Sequence, residues 1–119
     1  MKDNIIQEKS FAFAIRVVRS YQHLVIERKE FVLSKQFLRS GTSIGANIEE
    51  SIGGQSNADF VSKLSIAYKE ARETLYWIRL MEATDYLTET QAQSLHHDAE
   101  ELCRILSKIL TTTKERIKN

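Results

Sequence analysis

The histidines and the lone cysteine are the first residues to weigh, because a cluster of such side chains could hold a metal ion. Three histidines and one cysteine do not make the usual four-ligand zinc set unless all converge. A di-iron bundle needs Glu-x-x-His on two helices; here His97 precedes Glu100, the reverse order, and only once. There is no His-Glu-x-x-His. Cys103 follows His96 by seven residues and so shares its side of a helix, but its place at the edge of an apolar seam marks a packing cysteine. Glu49, Glu50, Glu70 and Glu73 could supply an acid/base pair, yet helix-face carboxylates ordinarily meet Lys or Arg, and nothing marks a substrate cleft. The expectation is a protein with no catalytic residues, no bound metal and no cofactor.

All four glycines fall between Gly41 and Gly54, in the stretch SGTSIGANIEESIGGQSN. A phosphate-binding loop would need glycine and lysine where this chain has Ala46 and Asn47. A helix-turn-helix centred on Gly41 would need a small residue where Phe37 stands and an apolar one where Asn47 stands. What remains is a helix with Phe37, Gly41, Ile44, Ile48 and Ile52 on one face. Gly41 and Gly45 in G-x-x-x-G spacing let a neighbouring helix come close, and Gly53-Gly54 is expected to end the helix with a left-handed residue. Asn47 is expected either to hydrogen-bond across to a neighbour or to lie partly exposed.

Basic residues form the third constellation. Lys9, Arg16 and Arg19 project away from the apolar face of the first helix; Lys35 and Arg39, and Arg104 and Lys108, are pairs one turn apart. Residues 1–48 carry eight Lys/Arg against four Asp/Glu, residues 49–101 four against eleven, and residues 102–119 five against one. This alternation either holds antiparallel helices in register or presents a basic patch to a polyanion.

The elements that must position these residues are helices. The chain has 119 residues, no proline and no glycine outside the one cluster, so nothing interrupts long helices elsewhere, and one domain is expected. Helix spans of about 4–28, 34–52, 57–83 and 88–117 follow from 3.6-residue periodicity and from three capping-box spacings, Asn4/Gln7, Ser56/Asp59 and Thr88/Gln91. Ile6, Phe13, Val17 and Leu24 form one apolar face; Leu64, Ala67, Ala71 and Leu75 form another; Leu95, Ala99, Leu102 and Leu106 form a third. Short connections favour an up-down-up-down antiparallel four-helix bundle. Phe11, Ile15 and Val18 on the first helix, with Ile66, Tyr76, Trp77 and Leu80 on the third, lie outside those faces, which points to contact between subunits; the plain alternative for Tyr76 and Trp77 is that they lie over a neighbouring helix edge. No apolar stretch is long enough to span a membrane, and no basic segment precedes an apolar run with a cleavage site, so a cytoplasmic, soluble protein is expected.

The stretches LRSGTSIGANIEES and FVSKLSIAYKEARETLYWIRL resemble the family of 23S rRNA-intervening-sequence proteins, four-helix bundles to which the accessory variability determinant of diversity-generating retroelements also belongs. The resemblance rests on Leu38-Arg39, Ser43-Ile44, Asn47-Ile48 and Glu50, then Phe60, Leu64, Ala67, Ala71, Glu73 and Leu75. One departure is Ser51-Ile52-Gly53, where many members place glycine directly after the glutamate. The resemblance implies a pentameric ring; the residues alone would be satisfied by a dimer as well. It also implies association with nucleic acid through basic surface. Two functions therefore stand: an RNA-associated assembly, or a protein-interaction scaffold that binds no nucleic acid. Neutralising Arg16, Arg19 and Arg39 separates them, since only the first loses nucleic acid with assembly intact.

Overall fold

A computed structural model describes residues 2–118, with side chains from Ile5 onward. It is all-α: α1 Lys2–Ile26, α2 Leu33–Ile52, α3 Asn57–Ala83 and α4 Glu89–Lys118, with no strand among the described residues. α1 already runs through Asn4, so Asn4 does not open the helix as its spacing with Gln7 predicted; its side chain lies outside the described ones. The molecule is a rod, 51 × 22 × 21 Å.

Each helix packs closely on its neighbours in sequence, α1 also packs on α4, and the diagonal pairs α1–α3 and α2–α4 do not come within 8 Å at their Cα atoms among the described residues. Cross-helix partners fix the register. From α1 to α2, Gln7 donates to Glu49, Ser10 faces Gly45 and Val17 faces Gly41. Between α2 and α3, Arg39 reaches Glu70 and Glu73, and Glu50 reaches Lys63. Between α1 and α4, Lys9 meets Glu101 and Arg16 meets Asp98. The core is Phe13, Val17 and Leu24 from α1, Phe37, Ile44 and Ile48 from α2, Leu64, Ala71 and Ile78 from α3, and Leu102 and Leu106 from α4, among others. Removing a side chain of Leu, Ile or Phe size from water stabilises the fold by roughly 1.5–3 kcal/mol each. Ile52, expected on the apolar face of α2, is instead 49% exposed because the helix ends there, beyond the reach of its neighbours.

Local chemistry explains the helix ends. Ser56 caps α3 by accepting from the Asp59 N–H at 3.1 Å. At the start of α4, the Thr88 hydroxyl accepts from the Gln91 N–H at 3.1 Å while the Gln91 side chain accepts from the Thr88 N–H at 2.9 Å, a complete capping box. The left-handed residues are Lys29 (φ 55°) and Asp85 (φ 68°), not Gly53 or Gly54. At Lys29 the chain turns so that the Glu30 N–H reaches back to the Leu24 carbonyl; at Asp85 the Leu87 N–H reaches back to the Met81 carbonyl. The α2 terminus ends without such a residue: Gly53 has φ −84°.

One cap has no counterpart in the sequence reading. Glu30 is buried, and its carboxylate accepts from the N–H groups of Val32, Leu33 and Ser34, while the Ser34 hydroxyl donates to the Glu30 carbonyl oxygen. Burial pushes the Glu30 pKa up, but the hydrogen bonds from Ser34, Leu33 and Val32 outweigh it and leave the group below its ordinary value. An ionised carboxylate at a helix N-terminus also suits the helix dipole.

Candidate nucleic-acid interface

The basic residues divide by position. Those beside a helix–helix seam, and Arg104 through its own helix, are taken up within the chain. Arg16 on α1 donates to Asp98 at 2.6 Å and to the Ser94 hydroxyl and carbonyl at 2.8 and 3.2 Å. Lys9 lies 3.3 Å from Glu101. Arg39 on α2 is held by Glu70 and Glu73 together, and Arg104 lies 3.3 Å from Glu100 on its own helix. The Glu73 contact above all raises the Arg39 pKa, burial opposing it and Glu70 adding to it. Glu73 is held below its ordinary value first by the Trp77 indole N–H, then, against burial, by Arg39. Half-exposed pairs of this kind contribute about 0–1 kcal/mol each, and their larger effect is to occupy the cations.

Cations away from the seams stay free. Among the described residues, Arg19, Lys35 and Lys108 are exposed and have no carboxylate within ion-pair distance. Lys108 stands with Arg116 on a groove of about 670 Å³ whose apolar lining includes Ile5, Phe60, Ile105 and Ile109. Three more unpaired cations, Lys69, Arg72 and Arg79, lie on α3. Sequence reasoning missed them because residues 49–101 are acidic in sum; the signal was the spacing Lys69, Arg72, Tyr76, Arg79 in steps of three, four and three, which puts all four on one helix face.

The glycine motif is structural. A Cβ on Gly41 would stand 2.7 and 2.8 Å from the two methyls of Val17, so the bare backbone of α2 receives the Val17 side chain of α1 there. Gly45 is less constrained: a Cβ would make ordinary contact with Ser10 at 3.5 Å. Ile44 and Ile48 are buried, and Glu50 pairs with Lys63 at 2.9 Å. The Ser43 hydroxyl donates to the Arg39 carbonyl at 2.6 Å. Asn47 makes no hydrogen bond to a neighbouring helix among the described residues; half-buried, it donates to the Ser43 carbonyl one turn back at 2.8 Å.

Phe11 (70% exposed), Ile15, Val18, Ile66 and Tyr76 are exposed. Leu80 is half-buried, and Trp77 packs against the core with its N–H on Glu73 at 2.9 Å. Trp77 thus takes the alternative place, over the α2–α3 edge. Tyr76 meets it edge-on, ring centroids 5.1 Å apart.

Cys103 is buried; burial raises its pKa, with nearby Arg72 the first opposing influence, so the thiol is a packing group beside the α3–α4 edge. Among the described residues no group of His, Cys, Asp and Glu is placed to hold a metal ion, and no helix is long and apolar enough to cross a membrane.

Residues 2–108 match the family model described as 23S rRNA-intervening sequence protein. A crystal structure of a protein of unknown function from the S23 ribosomal protein family of Bacteroides thetaiotaomicron is 53% identical, covers 93% of this chain and 99% of its own, and superposes with a TM-score of 0.92. No curated protein matches this chain.

Proposed function

The chain belongs to the 23S rRNA-intervening sequence protein family, and from that premise we propose that it is a non-enzymatic, cytoplasmic helical-bundle protein that assembles with copies of itself and associates with RNA through basic helix faces. The observation that carries the reading is the set of exposed cations with no carboxylate partner, Arg19, Lys35 and Lys108 on three different helices and the α3 group besides. Free cations attract phosphate without first breaking an ion pair, and binding of this kind weakens steeply with salt. The opposed numbering of cross-helix partners, Gln7 with Glu49 and Val17 with Gly41, then Arg39 with Glu73 and Glu50 with Lys63, supports an up-down-up-down antiparallel bundle. Exposed Phe11, Ile15 and Val18 on α1 and Ile66 on α3 support a homo-oligomer, for which a pentameric ring is the favoured form. A ring repeats each weak phosphate contact and raises overall affinity without new chemistry.

The test is binding of nuclease-treated protein to labelled single-stranded and structured RNA across a salt series, with subunit number measured by light scattering on the same sample. Tight binding that falls steeply with salt supports the reading. The exposed apolar residues favour a second reading, a scaffold for protein partners; absence of binding even at low salt would select it.

A further inference from the structure

We propose that the α3 face formed by Lys69, Arg72, Tyr76 and Arg79 binds single-stranded nucleic acid, its three cations on phosphates and a base stacked on the Tyr76 ring. The inference rests on the nucleic-acid reading above and names the surface and the form of the ligand. At about 100° per residue the four positions fall within one outward strip of α3, roughly 15 Å long, enough for a few nucleotides. All four side chains are exposed, Tyr76 at 53%. Glu70 and Glu73 do not neutralise the strip, because they turn to the α2 side and are held there by Arg39, and Glu82, which borders its C-terminal end, forms no ion pair with Arg79 among the described residues.

Tyr76 is also placed. Its ring abuts Trp77 at an interplanar angle of 74°, and Trp77 is tied through its indole N–H to Glu73. Beside it lies an open cleft of about 470 Å³ lined by Tyr76, Arg79, Leu80, Glu82 and Ala83. The ring and the Leu80 and Ala83 carbons offer apolar surface to a base, Arg79 takes the phosphate side, and the Glu82 carboxylate repels phosphate from the far rim. Phosphate contacts alone would accept a duplex. A stacking ring among cations selects unpaired bases, whose faces are free.

The test uses the whole protein with three fluorescein-labelled probes of equal length: oligouridine, oligothymidine and a mixed-sequence RNA duplex. Wild type is expected to prefer both single strands to the duplex and to show quenching of Trp77 fluorescence on binding them. Lys69→Gln/Arg72→Gln/Arg79→Gln is expected to lose at least tenfold in affinity and to lower the log–log salt slope by about 2, three phosphates at about 0.7 each, with melting temperature and subunit number unchanged. Because Tyr76 borders the apolar residues of α3, the charge variant carries the test; Tyr76→Phe, which keeps the ring, is expected to retain binding. RNA and DNA binding alike would leave phosphate and base stacking as the recognised chemistry, and preference for oligouridine would assign the site to RNA. If wild type binds and the triple variant binds equally with the same slope, the site is wrong while the RNA-association reading stands. Preference for the duplex overturns the single-strand assignment, and no binding by wild type at low salt overturns both.

Discussion

Arg39 and Arg72 are both exposed arginines on neighbouring helices, yet they belong to different chemistries. Arg39 stands at the α2–α3 seam, where the register brings Glu70 and Glu73 to it. Arg72, on the outer side of α3 toward α4, has no carboxylate in reach among the described residues. Both carry the same charge and both are exposed; the packing of helices decides which cation is spent on the fold and which stays unpaired. Seam residues should therefore move stability without touching nucleic-acid binding, and α3-face residues the reverse.

The largest effects belong to the seam. Gly41→Ala places a Cβ against the β-branched, fully buried Val17, and overpacking of this kind costs about 1–3 kcal/mol. Thermal melting checks it, and pairing the change with Val17→Ala should return part of the loss, the coupling expected of side chains in direct contact. Unchanged stability in Gly41→Ala would mean the α1–α2 approach is looser than the backbone indicates.

Next comes the buried cap. Glu30→Gln is expected to lose about 1–2 kcal/mol at neutral pH. The folded pKa of Glu30 lies below its ordinary value, so the carboxylate stabilises the protein above the usual glutamate range and loses that contribution as pH falls through the lowered pKa. Denaturant titrations of wild type and Glu30→Gln should therefore converge in acid. A gap that persists below both pKa values would assign the loss to packing instead of charge.

Smaller still is Gly45→Ala, whose added methyl meets Ser10 at ordinary contact distance. Relief of the glycine helix penalty, up to about 1 kcal/mol, should leave the variant as stable as wild type or more so. The contrast with Gly41→Ala sharpens the seam to one position, and a loss equal to that of Gly41→Ala would break it.

These contrasts also mark how far the amino-acid sequence is readable. Helix starts that depend on side chains three residues apart, Ser56 with Asp59 and Thr88 with Gln91, are legible because both partners are local. The Gly41 approach is legible too, since only a close neighbour explains a glycine inside an apolar helix face. Glu30 is not: in RKEFVLS it looks like a surface charge, and its role depends on the chain turning at Lys29 so that three N–H groups point at it. The Gly53-Gly54 pair does mark the end of α2, but the left-handed residue expected there is absent, since the α2–α3 connection turns without one.

The candidate interface was half legible. Lys9, Arg16, Arg39 and Arg104 are candidates by spacing, with pairing across helices left open, and whether a carboxylate faces them is decided by the neighbouring helix or, for Arg104, by Glu100 one turn back. Lys69, Arg72 and Arg79 were hidden by the negative sum of their segment, although Glu70 and Glu73 beside them turn to Arg39. Net charge over a segment averages around the helix, and a partner meets only one side.

The most direct test sets the two arginines side by side. Affinity of Arg39→Gln and Arg72→Gln for single-stranded RNA, measured across one salt series, separates seam from face with a single charge removed in each. The account predicts that Arg39→Gln keeps the wild-type salt slope and loses less than about 1 kcal/mol of stability, while Arg72→Gln keeps its stability and lowers the slope by about 0.7. A lowered slope in Arg39→Gln with none in Arg72→Gln would contradict it.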